Sequence, residues 1–228
     1  DLYPSHDKWY HLWALNFALR HAKKIITISE FTKQELVVLA GADPEKIAVT
    51  HLGLDQQKYH NHHPPEAITA ILKKYHITQP YIFFLGRLEK KKNIKNIIKA
   101  FSLFRIQNHY QLPTTNYQLV LGGSPGFGFN TPKLRPIVRD LKAQGCLKIL
   151  GFVPEADLPC LMAGASLFLF PSLYEGFGIP LLSAMASGTP IITSACGSMP
   201  EIVGIAGQIV QNPLKPEEIA TAMHRVLF

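Results

Sequence analysis

The chain has 228 residues, of which 47% are apolar, 10% aromatic and 17% charged. Such a chain buries enough apolar surface to offset its ordering entropy, which excludes disorder, and its length fits one large domain or one domain plus part of another. Lys plus Arg is 23 and Asp plus Glu is 16, a net charge of +7, which suits phosphates, nucleotides, nucleic acid or a membrane surface as partners.

From His6 to Ala22 the residues Trp9, Leu12, Trp13, Phe17 and Leu19 recur at helical spacing. One face of this helix is expected to be buried against a domain missing from this sequence, with contact to a membrane or acceptor lipid as the alternative. Lys24–Ile28 reads as a buried strand. Ser29 is an N-cap candidate for the next helix, which Gly41 closes. Ile47–Thr50 is a further strand. Asp55–Pro65 is polar, His-rich and ends in two prolines, so it reads as a linker, and His60, His62 and His63 read as linker histidines rather than metal ligands.

Beyond the linker the pattern alternates. Strands are expected at Tyr81–Leu85, Gln118–Leu121, Lys148–Leu150, Leu167–Phe170, Pro190–Thr193 and Gln208–Val210. Helices are expected at Glu66–Tyr75, Ile94–Gln107, Pro132–Gln144, Glu155–Met162, Ile179–Ser187 and Pro216–Phe228. Short apolar strands alternating with helices predict an α/β fold with a parallel sheet covered on both faces. The charge-free stretches Leu158–Tyr174 and Gly176–Met199 are broken by Pro and Gly and read as buried strands and turns, not membrane spans. Cys146, Cys160 and Cys196 form no Cys-x-x-Cys pair, and a reducing compartment fits them better than a disulfide framework. The chain opens at Asp1 with neither Met nor a leader pattern, which reads as a fragment or a processed product.

Ligands of parallel sheets bind at the carboxyl ends of the strands. Three strand-end loops carry the candidate chemistry. Gly86–Asn93 holds Arg87, Lys90, Lys91 and Lys92, cations able to meet an anion near a helix start, or else a solvated charge run. Gly122–Gly128 has the glycine density of a phosphate cradle but lacks the Gly-Lys-Ser/Thr ending of an NTPase loop. In Pro171–Pro180 an isolated acid, Glu175, follows a very apolar strand, and Gly176 and Gly178 precede a helix whose first amides face outward. The bland reading of Glu175 is a helix-start acid that offsets the dipole.

These loops in this order resemble glycosyltransferase family 4, retaining enzymes of GT-B architecture. The matching stretches are Gly86-Arg87-x4-Lys92, Leu119–Gly123, Ile149–Pro154, Phe170–Gly178, Ala184–Pro190 and Pro200–Gly204. The likeness is to the family's C-terminal nucleotide-sugar domain. Ala22–Leu36 looks like the closing strand and helix of its acceptor-side domain, and His51–Asp55 looks like the segment that opens the crossing between domains. The implied organisation is residues 1–55 as the remnant of an acceptor-side Rossmann-like domain and residues 56–228 as the donor domain.

The resemblance implies transfer of a hexose from a nucleotide-diphosphate sugar to a hydroxyl acceptor with retention. By that resemblance Arg87, Lys92 and Glu175 are the catalytic residues: Arg87 and Lys92 grip the diphosphate and Glu175 meets the sugar hydroxyls. Gly86, Gly123, Val153, Gly176, Phe177, Gly178, Ile179 and Ser183 line the donor, with the backbone near Val153 facing the base. No Asp-x-Asp occurs, so neither a metal nor another cofactor is expected, and the cations stand in for the metal. The implied partners are the nucleotide sugar, a saccharide or lipid-linked acceptor and a separate acceptor-domain chain, at the cytoplasmic face of a membrane. Nucleic acid is not expected, because no basic helix with interleaved aromatics appears. His6-Asp7 sits inside the first helical pattern and does not read as the catalytic pair of the acceptor domain. One departure stands out: the family carries a second Glu eight residues after the first, where this chain has Ser183. That substitution motivates the alternative of a non-catalytic nucleotide-sugar-binding or scaffold subunit.

Overall fold

The computed structural model describes residues 5–111, 116–126 and 131–228. It divides into two compact units, Asp1–Gly53 and Leu54–Phe228.

In the first unit, helix α1 (Ser5–His21) precedes strand β1 (Ile25–Thr27), helix α2 (Glu30–Ala40) and strand β2 (Ile47–Val49). The strands pair in parallel, Ile25 against Ile47 and Thr27 against Val49. Ser29 caps α2 as expected, its hydroxyl oxygen accepting from the Thr32 amide at 3.0 Å, and Gly41 ends the helix in the left-handed conformation at φ 64°. The Trp9/Trp13 face, expected to pack on a domain outside these residues, is open within this chain: Trp9 is 72% and Trp13 54% exposed. Two three-residue strands offer too little apolar surface to cover a helix of 17 residues.

The second unit alternates helix and strand: α3 (Pro65–Lys74), β3 (Tyr81–Leu85), α4 (Ile94–Gln111), β4 (Gln118–Gly122), α5 (Arg135–Ala143), β5 (Leu147–Gly151), α6 (Leu158–Ala163), β6 (Leu167–Phe170), α7 (Ile179–Ala186), β7 (Ile191–Ser194), α8 (Met199–Val203), β8 (Gln208–Val210) and α9 (Pro216–Leu227). The strands form one parallel sheet in the order β5-β4-β3-β6-β7-β8. The α/β expectation therefore holds. The two central strands are apolar on both faces because helices cover both: Tyr81–Phe84 and Leu167–Phe170 are fully buried. Each such side chain contributes about 1.5–3 kcal/mol of burial. Between β3 and β6 the register runs Ile82 to Leu167 and Phe83 to Phe168. Aromatic rings continue the seam, with Phe83 6.1 Å from Phe168 and Phe84 stacked 5.9 Å from Phe170.

The sheet's connectivity also places its crevice. From β3 the chain moves outward to β4 and β5, then returns to β6 on β3's other side. The carboxyl ends of β3 and β6 thus flank the point where the winding reverses, the place where ligands bind in open parallel sheets.

Three expectations need correction. Asp55–Pro65 is not a bare linker: Asp55–Tyr59 forms a turn, and Tyr59, 7% exposed, joins the core. The helix expected over Glu155–Met162 starts as a 3-10 turn (Glu155–Asp157), with Pro159 in the first turn of α6. Pro132–Gln144 becomes helical at Arg135, with Pro136 in its first turn. The histidines following Tyr59 stack, His60 on His63 at 4.0 Å. Among the described residues no group of His, Cys, Asp or Glu has metal-holding geometry.

Candidate donor site

The loop after β3 is built on Leu88, which is fully buried between Arg87 and Glu89. The Leu88 amide donates to Ser124 O at 3.0 Å, and the Gly126 amide donates to Leu88 O at 2.9 Å. The glycine-rich loop after β4 is therefore a brace for the Arg87 turn. The structure places Gly123 in backbone packing rather than in an open cradle: its amide is engaged with Gly151 O at 2.7 Å. Its φ is +137°, and a Cβ there would lie 2.0 Å from Gly86 O, so any side chain forces the turn apart. Phe127 and Gly128 lie outside the described residues.

Arg87 is exposed on this turn. Lys90–Lys92 form a 3-10 turn that Asn93 terminates in the left-handed region, φ 61° and ψ 25°. Asn tolerates this conformation better than most residues. Its buried amide group donates to Pro171 O at 3.0 Å and Pro213 O at 2.7 Å. The Leu173 amide donates to Lys91 O at 2.8 Å. The loops after β3 and β6 are thus tied directly together.

That tie sets Lys92 against Glu175. Lys92 Nζ contacts Glu175 Oε1, and the two side chains are 14% and 13% exposed. Lys92 Nζ also stands 5.1 Å from the centroid of the Phe170 ring, in cation–π range. The Glu175 backbone is clamped from the β7–α8 loop. Its carbonyl accepts from the Ser198 amide at 3.2 Å. The Ser198 hydroxyl lies 3.1 Å from Glu175 O and 2.9 Å from Phe177 O, donating to one at a time. Gly197 has φ 62°, and a Cβ on it would be 2.6 Å from Glu175 O.

Beyond Glu175, Gly176 and Phe177 lead to Gly178, the left-handed N-cap of α7 at φ 101°. The Phe177 side chain is buried at 4% exposure, so what it offers a ligand is backbone, whereas Ile179 is half exposed. Ser183 lies one turn into α7, its hydroxyl donating to Ile179 O at 3.4 Å, and is 4% exposed. Burial raises the pKa of the neighbouring Tyr59 phenol, and a hydrogen bond with Ser183 opposes that shift. On the loop after β5, the Val153 side chain is buried while Phe152 beside it is 79% exposed. That loop is held by Asp157, which accepts from Lys74 Nζ at 2.6 Å and from the Tyr75 hydroxyl at 2.5 Å. These bonds, Lys74's first, lower the Asp157 pKa. Burial, with Asp157 second, pushes the Tyr75 phenol up to about 12.

Of the residues singled out from sequence, Lys92 and Glu175 are in direct contact and Gly86 packs on Gly123. His6 and Asp7 fall in the first turn of α1, in the other unit, and their side chains lie outside the described residues. Asn93, Gly197 and Ser198 escaped the sequence reading. Ser198-Met199-Pro200-Glu201 does carry the Ser-x-x-Glu helix-start pattern. In the fold, however, the Ser198 hydroxyl serves the Glu175 segment and makes no cap bond in α8.

This sheet, with cations and a carboxylate gathered at its winding reversal, has the form of a glycosyltransferase donor domain. The chain belongs to the family of glycosyl transferases group 1, which it matches over residues 67–227. It is 33% identical over 210 residues to the O-antigen chain mannosyltransferase B of Escherichia coli, covering 92% of this chain and 53% of that protein. It is 25% identical over 227 residues to the MMP alpha-(1->4)-mannosyltransferase of Mycolicibacterium hassiacum, covering 98% and 50%. It also superposes on Anabaena HepE, solved in complex with UDP and glucose, with a TM-score of 0.79 and 25% identity over 98% of this chain and 59% of that one. The chain spans about half the length of these two curated relatives. The expected Rossmann-like GT-B architecture is the one these neighbours share.

Proposed function

We propose that this chain is the donor-binding part of a retaining, metal-independent glycosyltransferase of family 4. It takes a nucleotide-diphosphate hexose, and a hydroxyl of a saccharide or lipid-linked saccharide is the acceptor. Mannose is the first sugar to test, because two of the relatives above are mannosyltransferases. The observation that carries the reading is Lys92 and Glu175 meeting at the carboxyl ends of β3 and β6, with Arg87 on the same turn as Lys92. Departure of the diphosphate is the main electrostatic demand of glycosyl transfer, and fixed cations meet it without a metal. Glu175 is the acceptor for sugar hydroxyls. The backbone from Gly176 to Ile179 flanks the phosphates, and the Val153 loop faces the base. The catalysis takes place at the cytoplasmic face of a membrane, with residues 1–55 contributing the closing elements of the acceptor-side domain.

Titration calorimetry with UDP and GDP tests this reading. Arg87→Ala removes a charge-assisted bond and weakens binding by about 1.5–3 kcal/mol, roughly 10- to 150-fold. EDTA and added Mg2+ leave the affinity unchanged. Unchanged binding in Arg87→Ala, or a strict metal requirement, overturns the assignment. A second reading, a nucleotide-sugar-binding subunit without catalysis, is favoured by one observation: Ser183 is buried where the family carries a carboxylate. Donor that binds but is never turned over in the presence of acceptor would select it.

A further inference from the structure

We infer that Glu175 has a second role as the counter-ion of Lys92, weakening the site's hold on the nucleoside diphosphate product. The inference rests on the donor-site reading above. Lys92 has three N–H donors, and one is directed at Glu175. Both side chains are largely buried, so solvent screens their attraction little. The charges that a diphosphate meets are Arg87 and Lys92 less Glu175, one positive charge in place of two.

The Glu175 main chain has little freedom to withdraw. Its carbonyl is held by Ser198, and Gly197 packs against its backbone with no room for a Cβ. On the other side, the Phe170 ring limits where the Lys92 ammonium can go. The carboxylate is therefore a standing competitor for the cation that grips the diphosphate.

The competition falls unequally on donor and product. Transfer breaks the bond between the anomeric carbon and the diphosphate oxygen, the electron pair stays on that oxygen, and the acceptor hydroxyl supplies the carbon's new bond and gives its proton to the departing oxygen, which releases it to water. The product thus carries a terminal phosphate with one more ionisable oxygen than the donor. Two uncompensated cations would hold this product more tightly than the donor and retard its exchange. Glu175 reduces that difference while offering its other oxygen to the sugar.

The test is calorimetric titration of the 228-residue chain with UDP, GDP and the matching nucleotide sugars. Glu175→Gln keeps the shape and removes the charge. It is expected to tighten nucleoside diphosphate binding about tenfold, the size of a typical coupling between sites. The nucleotide sugar, whose hydroxyl meets a weaker neutral amide acceptor in place of the carboxylate, gains less or loses affinity, so the donor-to-product affinity ratio falls. In a Lys92→Met background the same Glu175→Gln change tightens nucleoside diphosphate binding clearly less, because only direct repulsion is then relieved, a coupling that a merely structural role of Glu175 would not produce. Glu175→Asp, whose shorter carboxylate retreats from Lys92, shifts affinity in the same direction and serves if the Gln variant does not fold. If Glu175→Gln weakens the diphosphate, or tightens it equally without Lys92, the inference is overturned. If Lys92→Met and Arg87→Ala both leave diphosphate binding intact, the donor-site reading itself has failed.

Discussion

Asp157→Asn isolates the bonds that hold the loop after β5. Asp157 Oδ2 accepts from Lys74 at 2.6 Å and from Tyr75 at 2.5 Å, and its side chain is only 9% exposed. A hydrogen bond to a charged group is worth about 1.5–3 kcal/mol. The Lys74 side chain is 53% exposed, so its share is discounted to about 0–1 kcal/mol. Asn still accepts a neutral bond from Tyr75 worth about 1 kcal/mol, which leaves an expected loss of about 0.5–3 kcal/mol. For a unit of this size that is a fall in Tm of about 1–12 °C at pH 7. The pH dependence has a definite sign. The folded-state pKa of Asp157 is lowered from 3.8, so its stabilisation is present above the unfolded value and is lost as pH falls through the folded value. The gap between wild type and variant should therefore close in acid, where the wild-type carboxyl is protonated and resembles Asn. Urea unfolding at pH 7 and at successive steps below pH 4 measures this. Equal stability at pH 7, or a gap that persists unchanged in acid, refutes the reasoning.

Two further outcomes are expected. Gly123→Ala places a Cβ 2.0 Å from Gly86 O at a φ of +137°, so the Arg87 turn must shift; strain of about 1–3 kcal/mol and weaker nucleoside diphosphate binding should appear together in melting and calorimetry. Ser183→Glu puts a carboxylate where a hydroxyl is 4% exposed, and should lower unfolding free energy by about 1–3 kcal/mol. UDP should recover part of that deficit and its 2′,3′-dideoxy analogue should not; equal deficits with both ligands would remove Ser183 from the ribose side.

The sheet was legible because its central strands are unambiguous: Tyr81–Leu85 and Leu167–Phe170 are apolar runs bounded by Pro, Gly or Ser, and they form at the read boundaries. α8 was not legible. Five residues with Pro200 at the second helical position show no period. The helical spacing of Trp9 and Trp13 reports an apolar face and not what covers it, and within this chain both are exposed. At the site, the types of Arg87, Lys92 and Glu175 and their strand-end positions were readable. The contact between Lys92 and Glu175 was not, since it joins residues from strands that become neighbours only through the sheet order. The glycine loop was ambiguous in the sequence because glycine density signals close backbone approach whether the neighbour is phosphate or, as at Gly123, another turn.

The pairing of β3 with β6 has a consequence for how the site comes into being during folding. The sheet consists of two sequence-continuous halves, β3-β4-β5 and β6-β7-β8, and β3 against β6 is the joint between them. Each half can form its own ladders from contacts closer in sequence, whereas Lys92 and Glu175 are separated by 83 residues. Such long-range closures come late and are intrinsically slow, because loop entropy is lost before the contact repays it. Anion recognition is thus withheld until the two halves have docked. A nucleotide that bridges their loops binds the native chain in preference to any half-assembled one, and so protects the joint against local opening.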